Sequence, residues 1–405
     1  MSCHPRVIEW ATILQTHFPH LSKPQIKVLA LWSLGMVLAR SCALTAVSAC
    51  LAPWLGHPDN TLRQRLREFY YEAGAKRGNN RQAVVVESCF APLLAWVLSL
   101  WEGTQLALAL DATPLSNRLT VLVISVVYRG CAIPIAWTVL IATAEKAWRP
   151  EWLRMLRQVY RAVPCTWTVI VLADRGLYAR WLFRRITRLG WHPFLRINTG
   201  GTFRPTGEQQ RVPLKTLVPQ PGCQWSGTGV AFKGRQRRLR CTLLARWEAG
   251  YQDPWLIVTD LPPTVGEVCW YGLRAWIEQG FKRTKRGGWQ WQHTRMTDPA
   301  RAARLWLAIA VATLWLVSVG GEVDATLPTT VPDLATALPP PPCSHQAAHL
   351  RLVSVFRRGW NLILAALLNQ TPLPHGRLVP EAWPTRPPRH QQGTILPIVA
   401  LLQAA

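Results

Sequence analysis

Three strand-like segments follow one another near the middle of this chain, and they limit its fold more than any other feature of the sequence. They are LALALD (106–111), RLTVLVISVVY (118–128) and CAIPIAWTVL (131–140). Apolar segments of this length, joined by turns too short to contain a helix, predict an antiparallel meander. The sequence therefore places a β-sheet in the middle of the chain.

Further strands alternate with helices after this meander. The pattern predicts a helix at about 145–160, a buried strand at 166–174, a helix at 176–189, a short strand at 194–198, a strand at 254–260, a long helix at 265–286 and an apolar helix at 301–319. Antiparallel and parallel strands covered by helices indicate an α/β domain with a mixed sheet. Residues 199–252 are rich in Gly and Gln, and we expect them to form a small β-rich insertion.

The segment before the meander has helical periodicity throughout residues 1–88. Arg63, Arg65 and Arg67 lie at the head of a helix that Asn60 or Thr61 would cap. Two short helices followed by an arginine-rich helix fit a helix-turn-helix for DNA. An ordinary helical bundle with a solvated basic face fits them about as well.

The end of the chain combines a Pro-rich link (339–342), an amphipathic helix (353–368) and a Pro-rich terminus. The sequence thus predicts three domains. These are an N-terminal helical domain over 1–88, an α/β domain over 100–320 and a C-terminal tail over 321–405.

The charge of the chain points to the class of its partner. Its 405 residues include 46 Lys and Arg but only 21 Asp and Glu, which gives a net charge of +25. A hydrophobic content of 49% excludes a disordered basic tail. A folded protein this basic most often binds a polyanion, and nucleic acid is the commonest one. Charge alone also fits a ribosomal or membrane-surface protein.

The cysteines and the N-terminus indicate a cytoplasmic protein. Ten cysteines are scattered with no C-x-x-C pair and no zinc-ligand spacing. The first residues (MSCHPRVIEW) lack the basic and apolar regions of a signal peptide. The uncharged segment 305–321 is at the lower length limit for a membrane span. A buried helix lying across a sheet has the same appearance, and we prefer that interpretation.

Two acids are conspicuous because acids are scarce and because each one follows an apolar strand. Asp111 ends LALALD, and Asp174 ends TVIVLAD. A single carboxylate at such a place is usually the cap of the next helix. Two of them in one domain favour a shared role, because adjacent carboxylates repel each other unless a cation holds them.

A third acid belongs to a polar stripe in WYGLRAWIEQGFKRTKRGG. Tyr271, Arg274, Glu278 and Lys285 are spaced 3, 4 and 7 apart, which on an α-helix places them within a narrow stripe beside an apolar one. A solvated helix surface explains one Arg–Glu pair at this spacing. It does not explain all four residue types in this order.

The run Tyr271-x2-Arg274-x3-Glu278-x6-Lys285 resembles the signature of DDE transposases from bacterial insertion sequences, within the group called insertion sequence family four. LALDAT around Asp111 and VLADRG around Asp174 look like the first and second acid motifs of that group. The resemblance covers roughly residues 100–320. One departure is the Gly that follows Asp174 and its neighbouring Arg, where many relatives carry further acids.

The resemblance implies an RNase H-like catalytic domain, interrupted by the β-rich insertion, in which Asp111, Asp174 and Glu278 are catalytic. These three acids would hold two Mg²⁺ ions, with Mn²⁺ as a substitute. The ions would serve cleavage of the insertion-sequence ends and transfer of the 3′-OH strands to target DNA. The residues expected to contact DNA are Tyr271, Arg274, Lys282, Lys285 and Arg286, together with Arg175, for which a structural role is equally possible.

The expected partner is double-stranded DNA, both the inverted-repeat ends and the target, bound by a homodimer. The expected location is the bacterial cytoplasm, at the nucleoid when the protein is bound, with no membrane. Trp289 and Trp291 follow the basic cluster and could stack on an unpaired base, although buried packing is the more usual role of Trp. His293 fits a structural role better than that of a metal ligand.

Two alternative functions remain open on the sequence. One is a non-catalytic or domesticated DNA-binding protein derived from a transposase. The other is a membrane protein built around residues 305–321.

Overall fold

The computed structural model describes residues 4–76, 81–143, 148–327 and 353–384. The chain divides into two compact units. The first unit contains Met1–Thr168 and Ala275–Glu381, and the second unit contains Val169–Arg274 and Ala382–Ala405. The Pro-rich link at 339–342 and the residues from 385 onward lie outside the described residues. The three domains expected from the sequence stay a prediction.

The α-helices within the described residues are α1 (Pro5–His17), α2 (Lys23–Ala39), α3 (Leu44–Leu55), α4 (Asp59–Tyr70), α5 (Phe90–Ser99), α6 (Arg149–Tyr160), α7 (Arg180–Arg188), α8 (Leu214–Leu217), α9 (Ala275–Lys282), α10 (Pro299–Thr326) and α11 (Val355–Leu368). The strands are β1 (Gln105–Leu115), β2 (Leu119–Tyr128), β3 (Cys131–Ile141), β4 (Thr168–Ala173), β5 (His192–Arg196), β6 (Thr202–Pro205), β7 (Val212–Pro213), β8 (Gln224–Ala231), β9 (Leu239–Arg246) and β10 (Trp255–Thr259).

The first unit contains the predicted antiparallel meander, which is confirmed. Strand β2 pairs antiparallel with both β1 and β3. Leu110 faces Ile124 across the first pair, and the inner residues of all three strands are almost entirely buried. The turn between β2 and β3 consists of Arg129 and Gly130, both with positive φ, as a tight hairpin connection requires.

The apolar helix predicted at 301–319 is α10, and it forms the centre of the first unit. It packs against α11, β3 and α2. A side chain on Gly320 or Gly359 would collide with backbone atoms of Val355 or Leu316, so these two glycines allow α10 and α11 to approach closely. The helix is long and apolar enough to cross a membrane, yet 94% of its most apolar window is buried inside the protein. This burial agrees with the preferred interpretation of a core helix.

The N-terminal residues of the first unit are helical, as predicted. Helix α2 begins with a complete capping box between Ser22 and Gln25. The N-cap of helix α4 is Pro58, two or three residues before the predicted caps Asn60 and Thr61, which lie inside the helix. The difference is physical, because the fixed φ of Pro58 already sets the entry into the helix. The α2–α3 pair bends by 93° and would reach membrane-spanning length only if counted as one broken span.

The second unit contains a sheet in the order β4-β5-β10-β9-β8-β6-β7. Strands β4 and β5 are parallel, and every other registered neighbour pair in this unit is antiparallel. Strands β6 to β9 are the predicted β-rich insertion. Together with the meander and the covering helices, this mixed sheet confirms the α/β class and is consistent with an RNase H-like fold.

Two sequence-based expectations about individual elements are wrong. Strand β1 does not end at Asp111 but continues to Leu115, because the β2 residues opposite it extend the pairing. The single helix expected at 265–286 is a 3-10 helix over Val268–Arg274, the α-helix α9, and a π-helix over Arg283–Gly287.

Candidate active site

Asp111 lies inside strand β1 of the first unit, opposite Val123 of β2. Its side chain is half-buried, and its Oδ1 accepts a hydrogen bond from the Ala112 amide at 2.8 Å. A rigid strand of the meander therefore holds this carboxylate.

Glu278 lies on α9, which packs across the meander of the same unit. The close approach depends on Gly280, where an added Cβ would lie 2.8 Å from the Ala132 Cβ on β3. Ile277 is fully buried on the packed side, whereas Glu278 is exposed. The helix thus fixes the backbone of Glu278 against the sheet and leaves its carboxylate accessible.

The basic residues after Glu278 lie at the end of α9 and on the π-helix. Lys282 and Arg286 are exposed, and Lys285 is half-buried. Burial lowers the pKa of the Lys285 ammonium, and the adjacent Arg286 lowers it further. Arg283 has a structural contact, because it donates to the Gly130 carbonyl at 2.8 Å.

Asp174 lies in the second unit, directly after strand β4, as predicted. Its Oδ1 accepts hydrogen bonds from the amides of Gly176 at 3.0 Å and Leu177 at 3.1 Å. A Cβ on Gly176 would lie only 3.3 Å from that oxygen. Gly176 therefore gives room for a tight turn that orients the carboxylate.

The second oxygen of Asp174 faces a guanidinium group. Arg274 Nη2 lies 3.5 Å from Asp174 Oδ2, and the side chains are 14% and 36% exposed. These two residues are 100 positions apart in the sequence, so the fold brings together the second acid and the Arg of the signature. Arg175, the immediate neighbour of Asp174, instead donates to Asp253 Oδ2 at 3.0 Å.

Tyr271 is buried in the second unit, with its ring edge-on to Trp255 at 5.4 Å between centroids. Burial raises the pKa of the Tyr271 phenol to about 12, against the lowering effect of Arg274 and Arg196. Arg196 also forms a side-chain hydrogen bond with Tyr271. Sequence reasoning missed Arg196, although a charged residue at the end of the apolar strand β5 is the same signal that identified Asp174.

The four signature residues do not share one continuous α-helix. Tyr271 and Arg274 lie on the 3-10 helix of the second unit, Glu278 on α9 and Lys285 on the π-helix of the first unit. The narrow stripe calculated for an unbroken α-helix is therefore wrong, since the three helix types turn by different angles per residue.

The residue types fit a hard divalent cation, because carboxylate oxygens are the ligands that Mg²⁺ and Mn²⁺ prefer. In the part of the chain that the structure describes, no group of three or more His, Cys, Asp or Glu side chains is close enough to hold a metal ion. A cation at Asp174 would also compete with Arg274 for Oδ2.

Trp289 and Trp291 are fully buried, so their rings cannot stack on a base in this conformation of the protein. Trp289 donates to Thr313 Oγ1 at 2.9 Å and packs against Trp360. The ring of Trp291 lies edge-on to Trp306. His293 is exposed at the end of the 3-10 helix Trp291–His293.

Residues 138–315 match the family model of the transposase DDE domain. The matched segment is less than half of the chain. It contains Asp174, Glu278 and the rest of the signature, and it begins after Asp111. No curated protein sequence matches the chain. The family match supports a DDE transposase.

Proposed function

We propose that this chain is a DNA transposase of the insertion-sequence type, which cleaves the ends of its element and transfers the 3′-OH strands to target DNA. The observation that carries the proposal is the match of residues 138–315 to the transposase DDE domain, since this segment contains Asp174, Glu278 and the Tyr-Arg-Glu-Lys signature. The signature favours insertion sequence family four.

Asp111, Asp174 and Glu278 are the proposed catalytic and metal-ligating residues. When bound, two Mg²⁺ ions, or Mn²⁺ in their place, supply Lewis-acid activation of the attacking hydroxyl and of the leaving oxygen. The protein holds Asp111 on a strand, Asp174 in a tight turn and Glu278 on a packed helix. Each carboxylate is thus attached to an element that resists reorientation.

The basic residues of the signature have proposed roles in DNA binding. Lys282, Lys285 and Arg286 present cationic groups one to two turns after Glu278, where phosphates of a DNA strand at the acid would lie. Arg274 is proposed to leave its contact with Asp174 and to bind a DNA phosphate instead. Tyr271 is buried and hydrogen-bonded to Arg196, which favours a positioning role.

The proposed partners follow from the reaction. Two element ends must be joined in one complex, so we expect a homodimer on double-stranded DNA. The proposed location is the bacterial cytoplasm, at the nucleoid when DNA is bound. The net charge of +25 is consistent with a polyanionic substrate.

The test is Mg²⁺-dependent cleavage of a DNA duplex that carries the sequences flanking the gene. We expect Asp111→Asn, Asp174→Asn and Glu278→Gln each to reduce the rate by about a thousandfold or more, because each removes a charged ligand of the metal ions. Asp260→Asn is a matched control, since Asp260 also follows a strand directly but pairs with His192 at 3.1 Å. Full activity in any of the three variants would overturn the assignment of that residue.

A second candidate function is a non-catalytic DNA-binding protein derived from a transposase. It is favoured by the Arg274 contact on Asp174, which occupies one carboxylate oxygen with a guanidinium group. The same assay separates the two functions. A non-catalytic protein binds the duplex without cleaving it at any Mg²⁺ or Mn²⁺ concentration.

A further inference from the structure

A cleft in the first unit, separate from the three acids, is lined by cationic and aromatic side chains. Its volume is about 460 Å³. It is formed by the N-terminus of α3, the C-terminal turn of α4, and the segment that leads from His293 into α10. We call it the basic cleft.

The charge of the basic cleft is positive. Arg67, Arg295 and Arg301 line it, and Asp298 is the only acid among the lining residues, which leaves 3 − 1 = +2. Asp298 is the N-cap of α10, where its Oδ1 accepts from the Arg301 amide at 2.9 Å, and its Oδ2 lies 3.8 Å from Arg301 Nε. Low-dielectric walls around such a group of cations concentrate the positive potential.

Two of the guanidinium groups converge on one phenol. Burial raises the pKa of Tyr70, whereas Arg67 and Arg301 both lower it, and Arg67 also hydrogen-bonds to Tyr70. The Arg301 guanidinium in addition lies 4.5 Å from the centre of the Tyr71 ring. The fold therefore holds like charges near each other, which an anion between them would stabilise.

The walls of the basic cleft are fixed by hydrogen bonds from outside it. Arg118 Nη1 donates to the carbonyls of Thr294 at 2.8 Å and Met296 at 3.2 Å. The Cys42 amide donates to the Trp289 carbonyl at 2.7 Å, which joins the start of α3 to the same segment. The backbone of the segment that carries Arg295 and leads to Arg301 is thus held in place, so it needs little ordering when a ligand binds.

The start of α3 adds donors to the cleft. Ala43 occupies the N-cap position, and its methyl side chain cannot accept hydrogen bonds from the first amides of the helix. Amides at a helix N-terminus favour a negatively charged ligand. They add to the arginines, which are the main recognition groups.

We infer that the basic cleft binds a backbone phosphate of one DNA strand, and that Arg67, Arg295 and Arg301 are its contacts. This deepens the proposed function, since it depends on DNA being the substrate. The volume holds a phosphate with its sugar and is too small for a duplex, so the strand passes along the mouth of the cleft. Its arginines come from the arginine-rich helix α4 and from the segment that follows the signature.

The experiment measures DNA binding by the full chain over a range of salt concentrations, with a short fluorescent duplex as the probe. Arg67→Gln and Arg295→Gln each remove one phosphate contact. We expect each to weaken binding about fivefold at low salt and to reduce the slope of log K against log salt by about one. Arg154→Gln is the matched control, because Arg154 pairs with Glu151 on α6 and does not line the cleft. Circular dichroism checks that every variant is folded.

The outcomes separate the inference from the proposed function. If the wild-type protein does not bind the duplex, the proposed function fails. If it binds and the cleft variants keep the wild-type slope, only the assignment of the cleft fails. Adenosine monophosphate is added as a competitor. If the cleft variants no longer bind adenosine monophosphate but bind the duplex as the wild type does, the cleft is a site for a free nucleotide. That result would overturn the assignment to DNA.

Discussion

At the scale of single residues, the contact between Arg274 and Asp174 has the largest functional consequence. The Arg274 guanidinium lies 3.5 Å from Asp174 Oδ2, and its side chain is only 14% exposed. Water therefore solvates this guanidinium poorly and is a weak substitute for the carboxylate. A metal ion bound to Asp174, as proposed, would compete with this guanidinium for one oxygen. A DNA phosphate offers Arg274 another anion, which would couple binding of DNA to binding of the metal.

We therefore predict that Arg274→Gln increases the affinity of the DNA-free protein for Mn²⁺. The expected increase is at most about fivefold, because a partly exposed ion pair contributes about 0.2–1 kcal/mol. Isothermal titration calorimetry measures it. Arg175→Gln serves as the control, since Arg175 pairs with Asp253 and should leave the affinity as it is. Equal or weaker binding in Arg274→Gln would contradict the competition.

Tyr271 gives a prediction on pH dependence. Burial raises the pKa of its phenol to about 12, above the ordinary value of about 10. An acid with a raised folded-state pKa contributes stability that is full below pH 10 and is lost as the pH rises towards 12. We expect Tyr271→Phe to lose stability less steeply than the wild type over this range. Urea unfolding at several pH values measures the difference, and parallel curves would show that Tyr271 does not titrate in the folded protein there.

At the scale of elements, the signature segment changes helix type twice within 20 residues. A 3-10 helix ends at Arg274, α9 ends at Lys282 and a π-helix ends at Gly287. Such changes often mark functional positions, because they reorient side chains that a regular helix would place elsewhere. Here they lie on both sides of Glu278, and Gly280 holds the central α-helix against β3.

We predict that Gly280→Ala is harmful and that Gly287→Ala is tolerated. The new Cβ at position 280 would lie 2.8 Å from the Ala132 Cβ, whereas the nearest atom to one at position 287 is 3.6 Å away. Displacing α9 should cost about 1–3 kcal/mol of the free energy of unfolding and should also lower DNA cleavage, since Glu278 moves with the helix. Thermal unfolding and the cleavage assay measure the two effects. Similar behaviour of both variants would refute the role of the close approach.

At the scale of the whole molecule, Arg304 connects the N-terminal helices to the central helix of the first unit. Its buried side chain donates to the carbonyls of Tyr70 at 2.8 Å and Val84 at 3.1 Å, and it pairs with Glu72 at 2.8 Å. A charged group on the buried side of α10 is stable only because these acceptors surround it.

We predict that Arg304→Ala lowers the free energy of unfolding by about 3–5 kcal/mol, because it leaves two carbonyls and a carboxylate without their donor. Arg377→Ala is the matched control. Its side chain is 65% exposed and pairs with Glu102 and Glu322, so the expected loss is much smaller than that of Arg304→Ala. Urea unfolding of both variants measures the difference, and comparable losses would show that the buried contacts of Arg304 add no stability.

Local pattern was sufficient for much of the fold. Continuous apolar runs identified β1 to β4, and the uncharged segment identified α10. A buried strand or helix needs apolar residues at regular positions, so its burial can be read from neighbouring residues in the sequence. The same pattern drew attention to Asp111 and Asp174, and the spacing after Tyr271 drew attention to Glu278. The family match supports the transposase assignment but begins after Asp111.

Only the tertiary structure decided which side chains meet and how each helix is wound. The contact of Asp174 with Arg274, the contact of Tyr271 with Arg196 and the approach of Arg301 to Tyr70 join residues far apart in the sequence. The 3-10 and π turns around α9 also depend on packing, because the intrinsic preferences of those residues permit an α-helix throughout. The sequence by itself determined the element types and the candidate acids, since these follow from local periodicity, whereas distant contacts follow from the fold.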